Sequence, residues 1–311
     1  MGLSRYAKLA WITLAFNVLV ILWGAFVRAS GSGAGCGSHW PLCNGEVVPR
    51  SPAIATLIEF GHRLSSGVAL VLIAALVIGA WRGFPRRHPV RLGAALSGFF
   101  IVSEALIGAG LVLLEYVAHN ASLARGFWVA GHLMNTFLLV GSLTLTAWWA
   151  SGGGAVRLRA QGGVLVMLTI ALLGTLVLGV SGAVTALGDT LFPAASLAEA
   201  EAQTFSSTAH LFVRLRVWHP ALAIAVGLCV LFATLTVTTA RRTAISAMLA
   251  RGLVWLYLAQ IVVGVLNVSL LAPIAVQIFH LLVSDLIWIV LVLFAASALA
   301  AESPVHSGTV L

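Results

Sequence analysis

Residues 57–81 read Leu-Ile-Glu59-Phe-Gly-His62-Arg63-Leu-Ser-Ser-Gly-Val-Ala-Leu-Val-Leu-Ile-Ala-Ala-Leu-Val-Ile-Gly-Ala-Trp81. Past Arg63 the run carries no charge, and at this length it crosses a hydrocarbon layer, which needs about 20 residues. Its start nevertheless holds an acid, an imidazole and a guanidinium. Ionisable groups inside a membrane segment are costly and mark function by default. Seven other stretches are long and apolar enough to span: roughly 9–28, 92–114, 127–150, 163–187, 208–240, 252–272 and 274–299. The sixth of the eight is too long for one span, so its start, up to about Arg216, is expected outside the hydrocarbon. The first resembles a signal peptide with Arg5 and Lys8 as basic flank. Its counterpart in the second half argues for a span instead.

Composition agrees. The 311 residues are 60% hydrophobic and 8% charged, against about 25% charged in soluble domains. The 17 Lys and Arg residues are scattered over short loops with no basic stripe, which excludes a nucleic-acid partner and leaves membrane lipids as the surroundings. Most of them, including Arg82, Arg86, Arg87, Arg91, Arg157 and Arg159, fall on one side. The positive-inside rule makes that side cytoplasmic and puts both termini there.

The chain repeats itself. His62 and His132 recur as His219 and His280, at offsets of 157 and 148 residues. Gly24 aligns with Gly182, and Glu104-Ala-Leu-Ile-Gly108 with Gln260-Ile-Val-Val-Gly264. The reading is an all-α membrane protein of eight transmembrane helices, arranged as two tandem pseudo-symmetric four-helix bundles. Residues 1–150 form one half, 161–311 the other, and the Gly-rich stretch 151–160 a cytoplasmic linker. A shift of four helices preserves orientation, so the repeats are parallel. All four histidines then lie near the outer surface, each at the start of its span. Two imidazoles facing each other suit the axial positions of a haem iron.

Other residues gather around them. Glu59 lies one turn before His62 on the same helical face, and its repeat counterpart is Arg216. It reads either as an acid–base group beside a pocket or as a surface partner of Arg63. Arg63, Arg214 and Arg216 stand beside the histidines, as partners for haem propionates or as snorkelling side chains. Cys36 and Cys43 share an outer loop on an oxidising side, as a disulfide or as two thiols. Glu104 is expected to face the bundle interior, and Asp285 lies off the face of His280. His210, nine residues before His219, competes with it as a ligand. His39, His88 and His306 read as surface residues. Loop 188–209 shows no motif. Pro220 disfavours regular helix at His219.

The combination Gly31-Ser-Gly-Ala-Gly-Cys36-Gly-Ser-His-Trp-Pro-Leu-Cys43, Glu59-Phe-Gly-His62-Arg63 and Gly131-His132 resembles the haem A synthase family over essentially the whole chain. The resemblance implies oxidation of the C8 methyl of haem O to a formyl group, giving haem A for haem-copper terminal oxidases. It implies that successive hydroxylations give a geminal diol that loses water. It implies His62 and His132 on the substrate haem, Glu59 as catalytic carboxylate, a Cys36–Cys43 disulfide, and His219 and His280 on a haem B cofactor. Implied partners are the haem O-producing prenyltransferase and oxidase assembly factors, in a bacterial cytoplasmic membrane. A second cysteine pair of many members is missing here, and the second His-Arg motif reads Trp218-His219-Pro220. The competing readings are a di-haem cytochrome b-type electron carrier and a small-molecule transporter. A prenyltransferase making haem O is disfavoured, because the chain carries no aspartate-rich metal-diphosphate motif.

Overall fold

A computed structural model describes residues 2–300, so His306 lies outside the described residues. Eight long apolar helical segments are present: α1 (Arg5–Ala29), α2 (Ile54–Gly83), α3 (Pro89–Leu113), α4 (Leu123–Ala150), α5 (Gly163–Leu191), a sixth made of α7 (Leu211–Arg214) and α8 (Trp218–Ala240), α9 (Ala244–Ser269) and α10 (Ile274–Leu299). The short helix α6 (Leu197–Phe205) lies between α5 and α7. No strand is present among the described residues; two isolated bridges are. The all-helical membrane architecture is therefore as expected from the apolar runs.

Several helix starts follow from local chemistry. Ser4, Ser122 and Ser196 accept hydrogen bonds from the first free N–H groups of α1, α4 and α6, as N-cap residues do. Helix α9 begins at Ala244, two turns before the expected 252, because Thr243 and Ser246 form a reciprocal cap. The loop 188–209 is also not featureless. Ser196-Leu-Ala-Glu199 is a helix-start pattern, with the Glu199 carboxylate accepting from Ala195 N–H at 2.8 Å. The sixth segment breaks at a 3-10 turn over Leu215–Val217, upstream of Pro220. Pro220 sits in the first turn of α8, where its missing N–H costs nothing. His219 is accordingly in regular helix, contrary to the expected disruption there.

The helices pack as two rings. In one, α1, α2, α3 and α4 each touch the next and α4 closes on α1; in the other, α5, α8, α9 and α10 do the same. The rings meet where α1 and α4 lie against α5 and α10, which fits a tandem repeat. Helices α4 and α10 are the most buried of the eight. At their contact the Trp288 indole N–H donates to the Phe137 carbonyl at 2.7 Å, with ring centres 5.6 Å apart. Gly141 makes room, since a Cβ there would stand 3.4 Å from the indole nitrogen.

Both ends of this seam are tied. At one end Arg28 of α1 donates to Ala186 O (2.8 Å) and Thr190 Oγ1 (2.6 Å) on α5, and to Gln277 Oε1 (3.0 Å) on α10. At the other, Arg157 N–H in the linker donates to Leu299 O at 2.9 Å, while Arg241 ties the second ring internally through Gln161 and Ala298 O. Trp288→Phe removes the hydrogen bond between the rings and should cost about 1–2 kcal/mol. Trp288→Ala empties the joint and should cost roughly 3–5 kcal/mol. Thermal unfolding of the detergent-solubilised variants should show that order.

Candidate functional site

Each of the four repeat-related histidines faces a glycine on the preceding span. A Cβ at Gly24 of α1 would stand 2.9 Å from His62 Cε1 on α2, and one at Gly182 of α5 would stand 3.0 Å from His219 Cε1 on α8. At Gly264 of α9 the distance to His280 Cε1 is 3.2 Å, and at Gly108 of α3 it is 3.7 Å to His132 Cε1. At the three closer positions a side chain would push the ring away. The glycines therefore let each imidazole lie against a neighbouring backbone while the helices stay packed. In the second ring His219 and His280 face each other with ring centres 6.4 Å apart and planes at 72°. The Ser181 hydroxyl meets His219 Nδ1 at 2.8 Å. His62, His132 and His280 each keep a buried Nδ1 without a hydrogen-bond partner among the described residues.

The donor set can be tested against a haem. Two imidazoles on opposite sides of one ion, with bonds of about 2 Å to the metal, put their ring centres roughly 6 Å apart. The second pair stands at that separation. His219 and His280 would hold a haem between them, and bound there it would supply one-electron chemistry; the glycine clefts allow the close helix approach. The residues fit the group.

Glu59 is buried, not at the surface. Its Oε1 accepts from Arg63 Nη2 (2.5 Å) and Nε (3.1 Å), while Oε2 accepts from Cys36 N–H at 2.8 Å. Arg63 Nη1 goes on to His39 O and Leu42 O, both at 2.7 Å. Arg63 is thus committed to Glu59 and the loop rather than free for a propionate. The loop itself closes through a Cys36–Cys43 disulfide, and Thr56 Oγ1 fastens Gly35 O at 2.7 Å. Gly35 carries no side chain because a Cβ would collide with the Ala55 backbone. Glu59 and Arg63 together weld this loop onto the start of α2, above His62.

The remaining candidates separate. Arg216 Nε stands 2.7 Å from Asp189 Oδ1, out of line for a hydrogen bond, and Nη2 donates to Phe192 O at 3.0 Å. Arg214 is exposed. His210 is spent locally: its side chain caps α7 by accepting from Phe212 N–H, and its ring stacks on Phe192. His88 likewise caps α3. Asp285 is fully buried on α10 without a partner among the described residues. Glu104 does face inward, 3.4 Å from His132 Nδ1. The glycine opposite each histidine and the Arg28 clamp were not read as site features from sequence, although the Gly24/Gly182 and Gly108/Gly264 alignments had marked those positions.

Eight apolar helices carrying two pairs of glycine-backed histidines define an integral membrane protein built around paired imidazole sites. The family model described as "Cytochrome oxidase assembly protein" matches residues 7–292. The chain belongs to that family. Among curated proteins, a "Protoheme IX farnesyltransferase" of Thermus thermophilus is 53% identical over 296 residues, covering 95% of this chain and 49% of that protein. "Heme A synthase" of Halalkalibacterium halodurans is 39% identical over 126 residues, 40% of this chain and 42% of that one. "Heme A synthase" of Bacillus cereus (strain AH187) is 44% identical over 112 residues, 36% of each. The chain spans about half the length of the Thermus relative. It is thus similar to haem A synthases, as the loop and Glu59–Arg63 motifs had suggested.

The loop weld can be checked directly. Arg63→Leu leaves Glu59 buried and unpaired, and breaking a buried pair by removing one partner costs about 3–5 kcal/mol. Amide hydrogen exchange at Cys36 and proteolysis within residues 36–50 should accelerate, while the inner ends of α4 and α10 stay protected.

Proposed function

We propose that the protein is a haem A synthase that oxidises the C8 methyl of haem O to a formyl group. His62 and His132 take the substrate haem, and His219 and His280 hold a haem B. The observation that carries this reading is the set of four histidines, each opposed by a glycine, in two repeat-related pairs. It is supported by family membership along the chain and by the partial likeness to heme A synthases. When bound, haem B supplies one-electron chemistry. The chain's part is to fix ring positions, to close the outer end of the first ring with the disulfide loop, and to offer Glu59 as the acid–base group one turn before His62.

The proposal divides the chain into a substrate half (1–150), a cofactor half (161–311) and the linker 151–160. It places both termini in the bacterial cytoplasm and the sites toward the outer side of the cytoplasmic membrane. Arg216, already paired with Asp189, and exposed Arg214 remain candidates for the propionates. The name of the Thermus relative belongs to a protein about twice the length matched. We read that name as describing its other half, which makes a haem O-producing prenyltransferase the natural partner. Oxidase assembly factors are the partners downstream.

Pigment extraction from cells that make haem O, with and without the protein, tests the activity. Formyl haem should appear only with it; a red protein that yields none would be a di-haem electron carrier. Glu59→Gln keeps an acceptor for Cys36 N–H but loses acid–base capacity. Haem A should fall by about tenfold or more, with haem O accumulating.

A second prediction concerns the clefts. Gly182→Leu should displace His219 and strip the resident haem, read as the haem-to-protein absorbance ratio. Gly67→Val, at an exposed position on α2 with open space around it, should leave that ratio unchanged.

A further inference from the structure

Glu59 and Arg216 are not the only repeat-related pair that differs beside the histidines. Glu104 on α3 and Gln260 on α9 each lie four residues before the glycine that faces a histidine, Gly108 and Gly264. Each reaches across to the next span. Glu104 Oε1 stands 3.4 Å from His132 Nδ1 and accepts from the Thr136 hydroxyl. Its Oε2 accepts from Asn135 Nδ2 at 2.6 Å, and that amide is held in turn by Phe100 O (2.8 Å) and the Ser103 hydroxyl (2.6 Å). In the other ring Gln260 Nε2 stands 3.2 Å from His280 Nε2 and donates to Ser284 Oγ at 2.6 Å. Thr136 and Ser284 both lie one turn past their histidine, and both hydroxyls also bond the histidine's own carbonyl. The hydroxyl frame is the same, but the acid meets the Nδ1 of its histidine and the amide meets the Nε2 of its own, whose Nδ1 has no partner among the described residues.

We propose that Glu104 is a positioning residue for His132, and that the acid-to-amide exchange at Gln260 makes the two haem sites electronically unequal. The inference rests on the haem reading of the histidine pairs. His132 Nδ1 has no hydrogen-bond partner among the described residues, and the Glu104 carboxylate stands 3.4 Å from it. A carboxylate only accepts, so it selects the tautomer that carries its hydrogen on Nδ1 and leaves the other nitrogen's lone pair for iron. An anionic acceptor also makes the imidazole a stronger donor, which favours ferric over ferrous iron. Gln260, a neutral amide placed against the other ring nitrogen, gives His280 Nδ1 no such acceptor. The Asn135–Ser103–Phe100 chain behind Glu104 fixes the carboxylate, so the bias is built into the packing. The haem on the first pair therefore has the lower reduction potential of the two, other influences being equal.

The test is a spectroelectrochemical titration of the purified protein, loaded with haemin until both pairs are filled, with ferric low-spin EPR on the same samples. Glu104→Gln should raise the midpoint of the haem on His62 and His132, shift its EPR signal, and leave the other haem in place. Glu104→Asp, which keeps the carboxylate but draws it back from His132, should raise the same midpoint by less. Two haem-replete variants with unmoved midpoints would overturn the inference and reduce Glu104 to a tie between α3 and α4. If Glu104→Gln does not assemble, Glu104→Asp decides alone: a raised midpoint supports the proposal and an unmoved one overturns it. A wild-type protein without a Soret band would instead sink the haem reading itself.

Discussion

An imidazole inside a membrane bundle needs space that a packed helix interface does not ordinarily leave. This protein makes the space by deletion. Opposite each of the four histidines the neighbouring helix carries hydrogen where another residue would carry a side chain. Helix association in lipid depends on close backbone approach and on polar groups finding partners inside the bundle. The same glycines serve both needs, because they bring helices together and expose a ring between them. The spacing of α1 to α2, α3 to α4, α5 to α8 and α9 to α10 follows from that constraint at the outer end.

The fold was legible in the sequence because membrane spans obey one strong rule: a long run without charge must be a helix. Eight runs gave eight helical segments. The misplacements came where polar side chains began a helix before the apolar run did. Thr243 and Ser246 start α9 well ahead of its hydrophobic stretch, and Ser196 with Glu199 start α6 inside a loop that reads as irregular. Pro220 misled in the opposite direction, since a proline is disruptive in a helix interior and harmless in a first turn.

The site was legible as residue types but not as contacts. The histidines, the cysteine loop and Glu59 announced themselves by spacing. That Glu59 and Arg63 spend their bonds on Cys36, His39 and Leu42 required knowing how the loop folds back, and no periodicity encodes that. His210 and His219 look alike in sequence. Only the turn at Leu215–Val217 separates one that caps a helix from one that faces His280. Gln260 showed only as the repeat counterpart of Glu104, and Ser284 not at all, because an amide and a hydroxyl raise no alarm in a membrane segment, whereas an acid does.

The seam between the rings has an evolutionary consequence. Phe137 and Gly141 on one side are shaped against Trp288 on the other, and Arg28 reads three acceptors that all lie across the boundary. Either ring could drift internally, at positions such as 104 and 260, without disturbing the other. It could not drift freely along α1, α4, α5 and α10. A chimera that joins the first half of one relative to the second half of another inherits two intact pockets and a mismatched wall between them. Substitutions along that wall should therefore travel in pairs across the duplication rather than within either copy.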